Sequence, residues 1–314
     1  MDAIRSSLQA GAATESASHR APAPVSAGAD RNFPVTLVLE VPQNRVMTSR
    51  AYIEPAAEPA PQVVAYEQPL NERMRTFLRL EFLYSQVLYH CEMPSPWSSR
   101  AAMGSLLEIL AITARGDVRS DVIKELERHV QALNEFQSKP GVDPGRLRAV
   151  MSNLIRLRSE LISMGANFMQ PLRESEFLNA IKHRSAIPGG TCEFDLPDYS
   201  FWLGRPADQR AAMFDEWMKL VRPLCDGVIE ILWVTRQNAR PREEIAQAGQ
   251  YQINFERENP IQLLRILLPS DSDLYPEISG SHYRCSLRFM SWKDLSRRPV
   301  QSEQDVRFVL TSCT

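Results

Sequence analysis

The spacing of apolar residues along this chain changes character near residue 190. From Pro69 to Arg184 the apolar positions recur in steps of three and four, which predicts amphipathic helices. Five helices fit this stretch, and together they would form a bundle. The fourth is the best defined, because Asp143 is a good N-cap, Pro144 suits the first helical position and Gly165 ends the pattern.

Beyond residue 190 short strand-like runs alternate with one long helical segment. The run "TCEFDL" predicts a strand, and "PADQRAAMFDEWMKLVRPLCDGVIEILWVTRQN" predicts a helix with a break at Pro223. "YQINFER" and "QLLRILL" predict two strands paired through a turn at Glu258, Asn259 and Pro260, and "HYRCSLRFM" and "DVRFVLTS" predict two more. The fold class is therefore α+β, with an N-terminal helical bundle and a small antiparallel sheet with a helix.

The first 62 residues differ in composition from the rest. They are rich in Ala, Ser and Pro, with aromatic residues only at Phe33 and Tyr52, so they predict a disordered tail. Two features qualify this: the strand-like run Phe33–Val41, and Met47, a second possible start of the chain. The expected domains are residues 1–62 as the tail, 63–186 as the helical domain and 187–314 as the strand-rich domain with an inserted helix.

Composition and charge exclude several classes of protein. The chain has 314 residues, 44% hydrophobic and 24% charged, which is typical of a globular protein. Its net charge of -2 argues against nucleic-acid binding by the whole molecule's field. No apolar run is long enough to insert in a membrane, and the five cysteines form no CxxC pair, so free thiols in the cytoplasm are expected.

The search for catalytic chemistry centres on "SAIPGGTCEFDLPDYSFWL". Its glycines could present Cys192 as a nucleophile, or they could be a hinge that opens a strand with Cys192 and Phe194 on its buried face. The hinge is favoured, because no catalytic signature surrounds the cysteine and free cysteines are commonly buried. HExxH, metal-ligand clusters, GxxxxGK[ST] and GxGxxG are absent from the sequence, so no cofactor or metal is expected.

Paired arginines are the remaining candidates for binding. In "PLNERMRTFLRLEF" Arg75 and Arg79 are four residues apart and share a helix face, where Glu72 can pair with Arg75. Such a pair is either a solvated basic stripe or a site for a carboxylate-bearing segment, which the guanidinium fork suits. Similar pairs occur elsewhere, and the even spacing of the last would place both side chains on one strand face: Arg115 and Arg119, Arg156 and Arg158, Arg284 and Arg288.

Five long motifs occur in order along residues 66–290: "YEQPLNERMRTFLRLEFL", "RGDVRSDVIKELER", "GVDPGRL", "IPGGTCEFDLPDYSFWL" and "SDSDLYPEISGSHYRCSLRFM". Together they resemble the ZapD family, bacterial cell-division proteins that associate with FtsZ. The resemblance implies a homodimer without catalytic activity that binds the C-terminal tail of FtsZ and bundles its filaments. It also implies a location at the mid-cell division site.

The resemblance implies tail contacts by basic residues that match its motifs. Arg75 and Arg79 are the first candidates, followed by Arg115 and Arg284, with Arg119 and Arg288 as additions to the same surfaces. Glu176 and Ser200 depart from the family's basic character near the hinge, and Lys182 and Arg184 are expected to compensate. The alternative is a basic-surface regulatory or nucleic-acid-binding adaptor that uses the same arginines.

Overall fold

The structure, a computed structural model, describes residues 63–136, 143–256, 260–281, 283–294 and 296–314. The predicted tail, the run Phe33–Val41 and Met47 lie outside these residues. The described helices are α1 (Glu72–Cys91), α2 (Pro96–Ala114), α3 (Val118–Asn134), α4 (Pro144–Ser163), α5 (Gln170–Arg173), α6 (Glu176–Ser185), α7 (Pro197–Leu203) and α8 (Ala207–Gln237). The described strands are β1 (Val63–Pro69), β2 (Pro241–Ala246), β3 (Gln250–Asn254), β4 (Leu263–Pro269), β5 (Leu274–Gly280), β6 (Arg284–Ser291), β7 (Val300–Gln301) and β8 (Val306–Cys313). The α+β class predicted from the sequence is confirmed.

Side-chain caps explain where the first four helices begin. The carboxylate of Asp143 accepts hydrogen bonds from the backbone N–H groups of Gly145 and Arg146, with Pro144 in the first position, as predicted. Asn71, Ser95 and Asp117 do the same for α1, α2 and α3. The chain leaves α4 through Gly165, whose φ of 75° lies in the region that favours glycine.

The helices share one hydrophobic core, and α8 runs through it. Buried residues on α8 include Val221, Leu224 and Val228, and they lie in the same cluster as Phe77 of α1 and Leu154 of α4. The helices are therefore held together mainly by apolar burial along the length of α8.

The predicted break at Pro223 is wrong, since α8 continues from Ala207 to Gln237. A proline inside a helix costs about 3 kcal/mol through the lost hydrogen bond and the ring clash. Here Pro223 is itself buried, between Val221 and Leu224. Burial of the residues on both sides of the proline offsets that cost. The local sequence does not reveal this burial, because it depends on the other helices.

The predicted strand at "TCEFDL" is also wrong, because residues 188–195 form consecutive turns. The N–H of Cys192 donates to the carbonyl of Gly189, and the N–H groups of Asp195 and Leu196 donate to the carbonyl of Cys192. These local bonds use the groups that a strand would offer to a neighbour. Phe194 is 86% exposed rather than buried, and Cys192 is half-buried and lies in neither hydrophobic cluster.

Two antiparallel sheets form the strand-rich part. One has the strand order β1-β4-β8-β2, and the other has the order β3-β6-β5 with β7 also paired to β6. The predicted strands exist, but the predicted pairing of "YQINFER" with "QLLRILL" is wrong: β3 pairs with β6, and β4 pairs with β1 and β8. The buried side chains of β4 explain its central place, because a strand with so much apolar surface is stabilised by neighbours on both edges.

The two sheets enclose a second hydrophobic core. Phe289 of β6 and Phe308 of β8 meet there, with ring centroids 5.0 Å apart. Leu263 of β4 and Cys313 of β8 belong instead to the core of the helices, so the first sheet also contacts the helices. The segments mix along the chain, since α8 follows residue 187 but packs with the helices, and β1 precedes it but lies in a sheet. Segments from both sides of residue 187 thus share one core or one sheet. The predicted division into a helical and a strand-rich domain at this residue stays a prediction.

A charged network ties α1, α8 and β1 together. The guanidinium of Arg236 donates to the carboxylates of Glu67 and Glu81, with Nε–Oε1 at 2.8 Å and Nη1–Oε1 at 2.6 Å. Arg265 Nε of β4 lies 2.7 Å from the same Glu67 carboxylate. These side chains are mostly buried, so each charge depends on its partners for solvation. Helices and sheets are thereby held by charge as well as by apolar contact.

Candidate functional site

The two candidate arginines of α1 are in different states. Arg75 Nε lies 3.2 Å from Glu72 Oε1, the pairing expected from their spacing. Arg79 is exposed, and none of the residues that the structure describes forms an ion pair or hydrogen bond with its guanidinium. Both side chains lie on α1, whose start is fixed by the Asn71 cap, at 2.7 Å from Asn71 Oδ1 to the N–H of Met74. Arg79 is thus the α1 cation most available to a partner.

Arg115 and Arg119 flank the turn between α2 and α3. Arg115 is exposed at the C-terminal end of α2, and across the described ranges it has no ion pair. Asp117 lies between them and caps α3, and hydrogen bonds from Ser120 lower the pKa of Asp117. Arg119 donates to the carbonyl of Leu161 through Nε at 3.0 Å and Nη2 at 2.9 Å, and to that of Ile162. Arg119 therefore joins the start of α3 to the end of α4, and its role is mainly structural.

A cleft of about 360 Å³ at this turn brings in a third arginine that the sequence did not point to. Arg115, Arg119 and Arg173 line it, together with the carboxylate of Asp117 and apolar residues that include Phe168 and Met169. Arg173 Nη2 donates to the carbonyl of Thr113 at 2.9 Å, so it closes the end of α2 as Arg119 closes α4. The sequence around Arg173 does not indicate a binding site, because residues 173 and 113 come together only in the folded chain. Guanidinium groups beside apolar residues can bind a peptide segment in which a carboxylate is next to an apolar side chain.

The register of α1 against α2 places the α1 arginines at the same end of the helix pair as this cleft. The helices are joined by only a few residues and pack along their length, so they run antiparallel. The hydrogen bond from Ser105 Oγ to Gln86 Oε1, at 3.1 Å, sets those two residues side by side. Counting seven residues from each along antiparallel helices places Arg79 level with Ile112, three residues before Arg115, although neither Arg75 nor Arg79 lines the cleft itself. Arg75, Arg79 and Arg115 therefore gather at one end of the α1–α2 pair.

Arg284 and Arg288 occupy a separate surface, on the exposed face of β6. Their placement on one strand face is as predicted. Arg288 Nη2 donates to Glu277 Oε2 of β5 at 2.9 Å, whereas Arg284 is exposed and has no ion pair with a described residue. Across the strand, Arg284 is opposite Asn254 and Arg288 is opposite Gln250. This face is polar and moderately basic, and among described residues no contact links these two arginines to those of α1.

Lys182 and Arg184 lie in the last turn of α6, where cations are favoured by the helix dipole. Both are exposed, and Arg184 Nη1 lies 3.4 Å from Asp195 Oδ1. Glu176 is exposed in the first turn of α6, and Ser200 is half-buried on α7. Neither Lys182 nor Arg184 lines the cleft at the α2–α3 turn, so their compensation for Glu176 and Ser200 stays a prediction.

Cys192 Sγ donates to Asp195 Oδ2 at 3.6 Å, and no histidine in the described ranges is hydrogen-bonded to it. No group of three or more His, Cys, Asp and Glu in the described part of the chain is placed to hold a metal ion. Likewise, no described helix has the length and apolarity needed to cross a membrane.

Comparison with known proteins assigns the chain to a family. Residues 78–288 match the family profile described as ZapD, cell division protein. The chain is 36% identical over 252 residues to the cell division protein ZapD of Azoarcus sp. (strain BH72), which covers 80% of this chain and 100% of the relative. It is 37% identical over 250 residues to that of Methylococcus capsulatus, covering 80% of this chain and 98% of the relative. The resemblance seen in the five sequence motifs is thereby confirmed, and the chain belongs to the ZapD family of cell division proteins.

Proposed function

We propose that this chain is a non-enzymatic cell-division factor that binds the C-terminal tail of FtsZ and cross-links FtsZ filaments into bundles. In this role it acts at mid-cell, in the cytoplasm, as a homodimer that promotes Z-ring assembly and septation. The observation that carries the proposal is the group of arginines at one end of α1 and α2. Arg79 and Arg115 have no ion pair within the described residues, so their charges are open to a partner's carboxylates.

The chemistry of this end of the molecule suits an acidic peptide with apolar side chains. Guanidinium groups bind carboxylates through paired hydrogen bonds, and the apolar residues that line the cleft accommodate an adjacent side chain. Arg119 and Arg173 hold the helix ends that form the cleft, so the site is preorganised before a peptide arrives. Arg284 and Arg288 supply a second basic surface for the same tail or for the filament.

Cross-linking follows from having two such sites in one dimer. A filament presents many identical tails, so once one site is bound the second meets a high effective concentration of tails. Modest single contacts then produce strong bundling. Because the contacts are between charges at an exposed surface, bundling weakens as ionic strength rises.

The proposal is tested by sedimentation of FtsZ polymers with the full chain and two charge-reversal variants. Arg79→Glu should reduce the bundled fraction several-fold, because it replaces an open cation with a repelling anion. Arg148→Glu is the matched control: it makes the same charge change on the exposed face of α4, distant in sequence from the cluster. Bundling that is equally unaffected by both variants, or saturable duplex-DNA binding that Arg79→Glu abolishes, would contradict the proposal.

A further inference from the structure

A second cleft, of about 540 Å³, lies where α1 and α3 meet the residues that lead into β4. Among the described residues that line it are Arg73 of α1, Asp121 and Arg128 of α3, and Pro260, Ile261 and Gln262. Small-molecule sites in proteins have volumes of about 300 to about 1,000 Å³, so the cleft is large enough for a small molecule. None of these six residues lines the cleft at the α2–α3 turn.

The two arginines of this second cleft share one buried carboxylate. Glu125 is 1% exposed, and its Oε1 lies 3.0 Å from Arg73 Nη1 while its Oε2 lies 2.8 Å from Arg128 Nε. The charge of Glu125 therefore offsets only one of the two guanidinium charges. His129 adds no charge, because burial lowers its pKa, and its Nε2 lies 3.3 Å from Arg128 Nη2.

Part of each guanidinium group is left for a ligand. Nη2 of Arg73 and Nη1 of Arg128 have no acceptor among the residues that the structure describes. The side chains of Arg73 and Arg128 are partly exposed and both line the cleft. Guanidinium N–H groups in this arrangement bind the oxygens of a phosphate or a carboxylate.

Gln262 supplies a second hydrogen-bonding group, which is held in place but unused. Its backbone N–H donates to the carbonyl of Cys313 at 2.8 Å, and its carbonyl accepts from the N–H of Leu70 at 2.9 Å. The residue is only 8% exposed, yet its side-chain Oε1 has no partner within the described ranges. Buried polar groups are normally hydrogen-bonded, so an unpaired amide in the wall of a cleft points to a ligand with polar groups of its own.

The third polar group is the carboxylate of Asp121. Asp121 and Arg128 are seven residues apart on α3, so they project from the same side of the helix, about 10 Å apart along its axis. The Asp121 carboxylate is half-buried and forms no ion pair or hydrogen bond with a described residue. Between the polar groups, Pro260 and Ile261 provide an apolar wall. A matching ligand has an anionic end, a hydroxyl or amino donor some distance from it, and an apolar surface.

We propose that this second cleft is a binding site for a mononucleotide, a ligand class with all three features. Its phosphate binds to Arg73 and Arg128, and a ribose hydroxyl donates to Asp121, as acidic side chains accept from ribose in dinucleotide-binding folds. The base lies against Pro260 and Ile261 with its polar edge at the Gln262 amide, which can offer either N–H or oxygen. Inorganic phosphate or a peptide carboxylate would occupy the arginines but leave Asp121 without a partner.

The test is calorimetric titration of the full chain with AMP and GMP, beside inorganic phosphate and ribose 5-phosphate. At least one mononucleotide should bind saturably at one site per chain, with a Kd about tenfold or more below that of inorganic phosphate, because sugar and base add contacts. Arg128→Lys keeps a cation for Glu125 but loses the guanidinium fork, so it should raise the nucleotide Kd by about tenfold or more. Arg148→Lys is the matched control, on an exposed arginine of α4 that does not line this cleft.

Asp121→Asn and Gln262→Leu test the other two contacts without removing a partner of Glu125. Each should raise the nucleotide Kd several-fold, and Asp121→Asn should not weaken the binding of inorganic phosphate, which does not reach residue 121. Neither side chain has a hydrogen-bond partner in the described part of the chain, so both variants should fold. Far-ultraviolet circular dichroism and a cooperative thermal transition check that each variant is folded.

Three results would overturn the nucleotide site. They are no saturable binding of either mononucleotide to wild type at concentrations up to about 5 mM, inorganic phosphate that binds as tightly as the nucleotides, and an unchanged nucleotide Kd in all three cleft variants. The inference is independent of the proposed function, since none of its residues is among the arginines assigned to FtsZ. A wild type that binds a mononucleotide but not the FtsZ tail would contradict the proposed function alone.

Discussion

The arginines of this molecule have different roles, and the surroundings of each side chain determine its role. Arg236 is largely buried and donates to two glutamates, Arg119 closes a helix end, and Arg79 projects into solvent. Replacing Arg236 leaves buried carboxylates without donors, and replacing Arg119 leaves helix-end carbonyls without donors, so either change destabilises the fold. Replacing Arg79 removes only an exposed charge, so its effect should fall on binding.

His129 offers a prediction about stability at low pH. Burial, and to a lesser degree the charge of Arg128, lowers the pKa of His129 to about 3 in the folded state, and Glu125 lies on the same helix beside Arg128. Its unfolded pKa is about 6.5, so between these values the unfolded chain binds the extra proton. His129 therefore contributes stability fully above pH about 6.5, and that stability is lost as pH falls toward about 3.

The measurement is urea unfolding between pH about 6 and about 4, on wild type and His129→Gln. Within this window the unfolding free energy of wild type should fall more steeply than that of the variant, by about 1.4 kcal/mol per pH unit. Equal slopes for the two proteins would contradict the neutral, buried state of His129. A titration of the ring by NMR with a midpoint of about 6.5 would also contradict it.

At the scale of helices and strands, local signals were reliable where the determining contacts are local. Asp143, Pro144 and Gly165 lie within or next to the helix that they delimit, and its bounds follow from them. The course of α8 through Pro223 depends instead on packing against α1, α3 and α4, which no window of sequence contains. The predicted strand pairing was wrong for the same reason: β4 pairs with β1, which begins 200 residues earlier in the chain.

The junction of α3 with α4 carries a prediction at this scale. Arg119 donates to the carbonyls of Leu161 and Ile162 at the end of α4, where helix carbonyls lack their usual i+4 donors; Ile162 also accepts from the N–H of Gly165 at 3.2 Å. Arg119→Met should therefore lower the free energy of unfolding by about 1 to 3 kcal/mol, since it removes these charge-assisted hydrogen bonds. The urea midpoint reports the loss. Arg79→Met, on an exposed arginine with no partner among described residues, should leave the midpoint almost unchanged.

For the whole molecule, fold class and candidate residues were accessible from the sequence, but their grouping was not. Arg75, Arg79 and Arg115 were each identified as candidates, yet their gathering at one end of the α1–α2 pair depends on the antiparallel register of those helices. Arg173 gave no signal, because its partner carbonyl is on another helix. The exposed rings of Phe82 and Tyr89 were missed too, since exposure is a property of the folded chain.

The central claim is that Arg75, Arg79 and Arg115, at one end of the α1–α2 pair, bind the FtsZ tail. It is tested most directly by titrating the full chain with a synthetic FtsZ C-terminal peptide. Isothermal calorimetry should show saturable binding to wild type and to Arg148→Glu, and Arg79→Glu should raise the Kd by about tenfold or more. Binding to wild type should also weaken between about 50 mM and about 300 mM salt, as the charges become screened. No saturable binding to wild type, or a Kd that is the same for Arg79→Glu and wild type, would contradict the account.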